Sequence, residues 1–253
     1  MKKHQVHNLI ILDESGSMNS IKKTILNGFN KLINSVKSIE KEFPEQEHYI
    51  SIISFNSKNE NNVIHFNEPV SKIETIDDKN YNPESSTPLF DAMGFSILKL
   101  KNFLSDKNNY SVLVTILTDG EENASKEYSL TSIKRIIEEL KSENWTFTYI
   151  GTDHDIDKTT MDLNINNKIR FDKNGRGIKN MFKIFQPNNI SIFKVKRFVT
   201  LHLPTHSKSP NRRQENISKL GCSKLFFDFR ILLITDEKFC GNSVSFRTLN
   251  YFF

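Results

Sequence analysis

Two hydrophobic spacings alternate along the first 186 residues of the chain. Uninterrupted apolar runs are typical of buried strands, and four of them lie at residues 9–12, 49–55, 112–117 and 145–150. The run at 63–66 follows the asparagine-rich segment 56–62 and predicts a hairpin with an edge strand. Residues 169–171 predict a last strand, so the pattern predicts six strands in all.

Apolar residues spaced three or four positions apart lie between these runs and predict amphipathic helices. The predicted helices begin after Ser17, at Thr87, near Leu130 and near Gly177. We expect the first of them to end at Pro44, because proline cannot continue a helix. Residues 67–86 show neither spacing and are predicted to form a polar loop.

This alternation is typical of an α/β fold with a doubly wound, mostly parallel six-stranded sheet and helices on both faces. With right-handed crossovers and strands in the order 3-2-1-4-5-6, the winding reverses between the first and fourth strands. Ligands of such sheets bind beside the carboxyl ends of the strands at that reversal. Asp13 ends the first strand and Asp119 follows the fourth, so we expect these two carboxylates to face each other.

The segment Asp-Glu-Ser-Gly-Ser at residues 13–17 places three oxygen-bearing side chains at alternate positions. The carboxylate of Asp13 and the hydroxyls of Ser15 and Ser17 form a hard-oxygen set, which suits Mg²⁺, Mn²⁺ or Ca²⁺ rather than zinc. The same residues also fit a structural interpretation. In it, Asp13 ends a strand, Ser17 caps the next helix and Ser15 lies in the loop.

Three segments, taken in order, resemble the von Willebrand factor A (VWA) domain family. They are the segment 13–17, Ser-Thr-Pro-Leu-Phe-Asp-Ala at 86–92, and Leu-Thr-Asp-Gly at 117–120. The resemblance covers residues 6–186 and implies a Rossmann-like VWA fold with the family's metal-ion-dependent adhesion site. It further implies that Ser15 and Ser17 coordinate a divalent metal directly. Thr87 would do so directly or through water, and Asp13 and Asp119 mostly through water.

The metal implied by the resemblance is Mg²⁺, or else Mn²⁺ or Ca²⁺, acting as a bridge rather than a catalyst. Neutral hydroxyls and water-mediated carboxylates leave much of its charge uncancelled, so an Asp or Glu of a protein partner would complete the shell. We therefore expect a metal-dependent protein interaction module, not an enzyme, of the stand-alone intracellular type found in bacteria. Two alternatives stay open: a metal-dependent phosphoester hydrolase at the same site, and a regulatory subunit of a separate ATPase.

Other polar residues near these segments have structural interpretations. Thr87 is predicted to cap the second helix ahead of a proline, a role compatible with metal contact. Asp91 is expected to interact with the dipole of that helix, and Glu121 and Glu122 to be solvated. The segment 151–157 is expected to be a solvated loop that caps the next helix, with a second metal site as the alternative.

Composition divides the chain at residue 187. The 253 residues carry a net charge of +5, but residues 187–253 hold 11 Lys and Arg against 4 Asp and Glu. This segment also holds 9 of the 20 phenylalanines and no sustained hydrophobic period. We therefore predict a VWA domain over residues 1–186 and a basic tail of uncertain order over 187–253. The basic residues of the tail are scattered and do not favour nucleic-acid binding.

Cysteine content and hydropathy bear on the cellular location. Cys222 and Cys240 are too few for a disulfide framework and fit a reducing compartment. No apolar run approaches the ~18 residues that a membrane span needs, and Asp13 cuts short the apolar stretch behind the charged start. The sequence thus predicts a cytoplasmic protein without a membrane segment, and it does not predict an oligomeric state.

Overall fold

The apolar run at residues 9–12 forms the centre of a six-stranded sheet in a computed structural model, which describes residues 2–152 and 156–183. The strands are β1 (His4–Asp13), β2 (Gln46–Phe55), β3 (Asn62–Pro69), β4 (Tyr110–Leu117), β5 (Trp145–Gly151) and β6 (Asn167–Arg170). They lie in the order β3-β2-β1-β4-β5-β6, with β3 antiparallel to β2 and the other pairs parallel. The predicted fold class and strand order are therefore confirmed.

Helices cover both faces of this sheet. They are α1 (Lys22–Glu42), α2 (Leu89–Phe103), α3 (Leu130–Lys141), α4 (Ile156–Asp162) and α5 (Gly175–Lys183). Because side chains alternate along a strand, Ile10 and Leu12 pack into one core with α1 and α5. Leu9 and Ile11 point to the opposite face and pack into a second core with α2 and α3. Burial on both faces explains why residues 9–12, the part of β1 that leads to Asp13, are all apolar.

The segment 67–86 differs from the polar loop predicted for it. β3 continues to Pro69, a short 3-10 helix follows at Val70–Lys72, and four apolar side chains of the segment are buried in the core beneath α1. These side chains are those of Val70, Ile73, Ile76 and Tyr81. Because their spacing matches neither a helix nor a strand, the hydrophobic pattern predicted a polar loop for this segment.

The start of α2 also differs from the prediction. The helix begins at Leu89 with Pro88 as its N-cap, and no side chain of the capping residue closes it. Thr87 lies one position too early to be the predicted cap. Its hydroxyl is therefore not committed to the helix.

Two predictions concern residues that the structure does not describe. The proposed tail at 187–253 lies outside the described residues, as do residues 153–155 of the acidic loop before α4. Among the helices that are described, none combines the length and apolar character needed to cross a membrane.

Candidate metal centre

The carboxyl ends of β1 and β4 lie side by side, and this adjacency builds the candidate site. The two strands are parallel neighbours, with Leu12 paired to Leu117 at their ends. The residues that follow therefore emerge together at the point where the winding of the sheet reverses. A hydrogen bond joins the two loops directly, because the Thr118 hydroxyl donates to Asp13 Oδ2 at 2.6 Å.

All five side chains predicted for the site lie together at this edge. The hydroxyls of Ser15 and Ser17 are 3.1 Å apart, and Ser17 donates to Asp119 Oδ1 at 2.5 Å. A methyl group placed on Gly120 would lie 3.4 Å from the Thr87 hydroxyl, 3.8 Å from that of Ser17 and 4.0 Å from Asp13 Oδ2. Thr87, Ser17 and Asp13 thus surround the space beside Gly120, and hydrogen bonds of Ser17 connect Ser15 and Asp119 to this group. Their coordination of a metal stays a prediction.

The donor set fits a hard divalent cation. Its members are three hydroxyls and two carboxylates, the oxygen ligands that Mg²⁺, Mn²⁺ and Ca²⁺ prefer. Octahedral ligands at about 2.1 Å from Mg²⁺ lie roughly 3 Å from one another, close to the 3.1 Å between the hydroxyls of Ser15 and Ser17. In the part of the chain that the structure describes, no three His, Cys, Asp or Glu side chains cluster as a metal site. The predicted donor set accordingly combines its two carboxylates with three hydroxyl groups.

Asp13 is held in one orientation by its neighbours. The backbone N–H of Ser15 donates to Oδ1 at 2.7 Å, and Thr118 donates to Oδ2, so both carboxylate oxygens are engaged. Burial raises the pKa of the Asp13 carboxyl to about 6, although the hydrogen bonds from Thr118 and Ser15 oppose the shift. A divalent cation nearby would favour the ionised form of this carboxylate.

Asp119 has a cationic neighbour that the sequence did not reveal. Its Oδ2 lies 2.7 Å from Nζ of Lys173, an ion pair without good hydrogen-bond geometry. The Asp119 side chain is completely covered in this arrangement, whereas the Lys173 side chain is 38% exposed. Lys173 belongs to the loop between β6 and α5, far along the chain from the segments that predicted the site.

Glu14 ties the first loop of the site to the segment that leads into Thr87. Ser54 donates its hydroxyl to Glu14 Oε2 at 2.6 Å, and the backbone N–H of Asn82 donates to Oε1. The backbone N–H of Glu84 reaches the Glu14 carbonyl at 2.9 Å. This buried carboxylate therefore positions the second loop against the first. Sequence reasoning missed it, because a glutamate after a strand usually faces water.

The third loop of the site, which follows β4, forms hydrogen bonds with the first turn of α2. Glu122 Oε2 accepts the backbone N–H of Phe90 at 2.9 Å, so Glu122 is not the solvated residue that was predicted. Asp91 lies in the first turn of α2, the position predicted for a residue that interacts with the helix dipole. It also accepts the backbone N–H groups of three residues in the loop before α3, at 2.7–2.9 Å. The backbone of Thr87 is fixed by Asn123, which accepts from its N–H at 2.9 Å.

Comparisons with known proteins give one family match and several similar solved structures. The family model described as the von Willebrand factor type A domain matches residues 9–183. The solved structure of the pilus adhesin SpaC from Lactobacillus rhamnosus GG matches with a TM-score of 0.51 and 11% identity, over 73% of this chain and 31% of that one. The SpRpn10 VWA domain matches with a TM-score of 0.45 and 12% identity, over 73% of this chain and 97% of the other.

A third solved structure is that of proximal thread matrix protein 1 from the mussel byssus with a zinc-occupied MIDAS motif. It matches with a TM-score of 0.45 and 13% identity, over 72% of this chain and 46% of that one. The chain thus spans less than half the length of the thread protein and about a third of the adhesin. Comparison with curated protein sequences gave no match.

Proposed function

The chain belongs to the von Willebrand factor type A domain family, and from this premise we propose that it is a divalent-metal-dependent protein interaction module. The observation that carries the proposal is the cluster of five oxygen-bearing side chains at the carboxyl ends of β1 and β4, of which three lie beside Gly120 and two contact Ser17. Hydroxyls outnumber carboxylates in this set. A bound divalent cation would therefore keep enough positive charge to attract an acidic side chain of a protein partner.

The residues of the chain have distinct tasks in this proposal. Ser15, Ser17 and Thr87 would hold Mg²⁺, or Mn²⁺ or Ca²⁺, through their hydroxyls, while Asp13 and Asp119 would act through water. The hydrogen bonds from Thr118 and from the Ser15 backbone fix the Asp13 carboxylate before any metal arrives. Ser17 is exposed, which leaves the outer side of the site accessible to a partner.

The state of Asp13 supports an interaction module over the alternative of a phosphoester hydrolase. An attacking carboxylate needs a free oxygen facing the substrate, but both Asp13 oxygens accept hydrogen bonds and the residue is fully buried. The buried histidines lie elsewhere. His7 precedes Asp13 by six residues on β1, which places it roughly 20 Å away at the usual rise per strand residue. We therefore propose that the site binds rather than catalyses.

A cytoplasmic location is part of the proposal. It is supported by the two cysteines, whose small number suits a reducing compartment. A partner that presents Asp or Glu to the metal would then be an intracellular protein.

Calorimetric titration of Mg²⁺ and Mn²⁺ tests the metal site. We expect the wild-type chain to bind and the Ser15→Ala/Ser17→Ala variant to lose binding while unfolding at a similar temperature, because neither side chain is part of an apolar core. The control variant is Ser71→Ala/Ser105→Ala, which changes two exposed serines outside the site. Equal binding by the wild type and the site variant would refute the proposed centre.

A second experiment tests the interaction. Partners captured from a cell extract by the wild-type chain should be lost on adding EDTA and should not be captured by the Ser15→Ala/Ser17→Ala variant. Metal-dependent hydrolysis of p-nitrophenyl phosphate, abolished in Asp13→Asn, would instead support the hydrolase.

A further inference from the structure

The ammonium group of Lys173 lies against Asp119, one of the residues predicted for the metal centre. Asp119 has two carboxylate oxygens: Oδ1 accepts the Ser17 hydroxyl at 2.5 Å, and Oδ2 lies 2.7 Å from the Lys173 ammonium. The negative charge of Asp119 is thus compensated within the chain itself. A metal ion that interacts with this carboxylate would meet a positive charge already in place.

The backbone around Lys173 keeps the ammonium within reach of the site. Phe171 is buried, and its N–H donates to the carbonyl of Gly151 at 3.0 Å. On the other side, Ile178 of α5 is buried in the core against α1. Lys173 therefore lies on a short loop anchored at both ends, directly above the carboxyl end of the sheet.

The burial of Asp119 sets this pair apart from an ordinary surface ion pair. Lys168 on β6 offers a direct comparison, because its side chain is also 38% exposed and its Nζ lies 2.6 Å from Asp157. The Asp157 side chain, however, is 59% exposed, whereas that of Asp119 is fully covered. Solvent and salt screen the Asp157 pair, and pairs of that kind contribute little. Because the Asp119 side chain is covered, water screens the attraction between Lys173 and Asp119 less than it screens the attraction between Lys168 and Asp157.

We propose that Lys173 sets the metal affinity of this site by opposing the divalent cation at Asp119, an inference that rests on the proposed metal centre. Asp13, Asp119 and Lys173 together carry one net negative charge when both carboxylates are ionised. Without Lys173 they would carry two, and a divalent cation would be held more tightly. Repulsion between a divalent and a monovalent cation ~6 Å apart corresponds to about tenfold in affinity even with the dielectric constant of water.

This arrangement has a consequence for partner binding. With Lys173 in place, the metal-loaded site keeps a net positive charge that an incoming carboxylate can neutralise. Metal and acidic partner would then bind more tightly together than separately, and by linkage each raises the affinity of the other by the same factor.

Titration of Mn²⁺ into the full chain tests the inference. We expect Lys173→Met to bind Mn²⁺ about tenfold more tightly than the wild type, and Lys173→Arg to bind like the wild type. Lys168→Met is the matched control, since it removes the same charge from a lysine of equal exposure, and it should change the affinity less than twofold.

Thermal unfolding separates this role from a purely structural one. In EDTA, Lys173→Met should unfold at a lower temperature than Lys168→Met, because Asp119 loses its cation, and saturating Mn²⁺ should raise its midpoint by more than in the wild type. A lower midpoint in EDTA without tighter Mn²⁺ binding would overturn the inference and leave only a structural ion pair. A wild-type chain that binds no Mn²⁺ would refute both the metal centre and the inference, whereas wild-type binding with unchanged affinity in Lys173→Met would refute the inference alone.

Discussion

The carboxylate of Glu122 accepts a hydrogen bond from the backbone N–H of Phe90 at 2.9 Å and so caps α2 from a different loop. The first N–H groups of a helix lack partners within the helix, and the positive end of the helix dipole favours a negative charge there. Glu122 also accepts the hydroxyl and the N–H of Ser125 at 2.6 and 2.7 Å. One carboxylate thus holds together the loop after β4 and the helix that follows Thr87.

Replacing Glu122 by alanine should lower the free energy of unfolding by about 1–2 kcal/mol, the usual cost of losing a helix cap together with a favourable charge at the dipole. Urea unfolding of the metal-free protein measures this change. Glu127→Ala is the control, because Glu127 is an exposed residue of the same loop. Equal destabilisation by both substitutions would show that Glu122 does not cap α2.

The sequence predicts the strands and loops that form the site better than it predicts the side chains that hold those loops in place. Strand order and the positions of Asp13 and Asp119 follow from apolar runs and from the reversal of winding, both of which are local or topological properties. The roles of Glu14, Glu122 and Lys173 depend on contacts between distant segments. Neither hydrophobic period nor residue spacing encodes such contacts, so these residues were missed or assigned to solvent.

The same limit explains the segment 67–86. Tyr81 is fully buried, and its hydroxyl donates to the carbonyl of Asp13 at 2.7 Å. A single aromatic residue in a stretch of polar residues predicts no element, yet here it supports the end of β1. Tertiary packing, rather than propensity, determines this part of the fold.

Gly28 provides a test of how α5 packs on α1. A Cβ at this position would lie 1.9 Å from the ring of Phe182, which is closer than any van der Waals contact. Alanine normally stabilises a helix relative to glycine by about 1 kcal/mol, but here the clash should reverse the sign and lower the free energy of unfolding. Urea unfolding of Gly28→Ala checks this expectation.

Two further variants make that test specific. Asn27→Ala, at the neighbouring exposed position of α1, should be neutral or slightly stabilising. Gly28→Ala combined with Phe182→Leu should recover part of the loss, because the smaller side chain leaves room for the methyl group. If Gly28→Ala is stabilising on its own, α5 does not pack on this face of α1 as described.

Two buried histidines predict that the metal-free protein loses stability in acid. Burial lowers the pKa of His7 and of His48 from 6.5 to about 4, although the Asn67 side chain bonded to His7 acts in the opposite direction. As the pH falls, these two histidines are therefore protonated near pH 6.5 in the unfolded chain but only near pH 4 in the folded chain. The stability contribution is complete above pH 6.5 and is lost as the pH falls, by up to about 3 kcal/mol for each histidine.

Urea unfolding in EDTA between pH 7 and 4 measures this loss. His7→Phe keeps the stacking of His7 on Tyr49, whose ring centroids lie 5.0 Å apart, and should flatten the pH dependence, as should His48→Leu. Asp13 acts in the opposite sense, because its raised pKa of about 6 lets the folded state bind a proton more firmly. An unchanged slope in both histidine variants would contradict the prediction.

Substitutions of Thr87 distinguish a role of its hydroxyl in metal binding from a role in the stability of the fold. Its side chain is buried but does not cap α2, and the hydrogen bonds to Asn123 involve only the backbone of Thr87. Thr87→Val keeps the shape and removes only the hydroxyl, so it should weaken Mg²⁺ and Mn²⁺ binding at least tenfold while changing the free energy of unfolding by less than about 1 kcal/mol. Thr87→Ser restores the hydroxyl and should bind metal within a few-fold of the wild type.

Calorimetric titration and urea unfolding of the three proteins distinguish the outcomes. Wild-type metal affinity in Thr87→Val would remove Thr87 from the donor set, and a large loss of stability in the same variant would mean that its hydroxyl serves the fold instead.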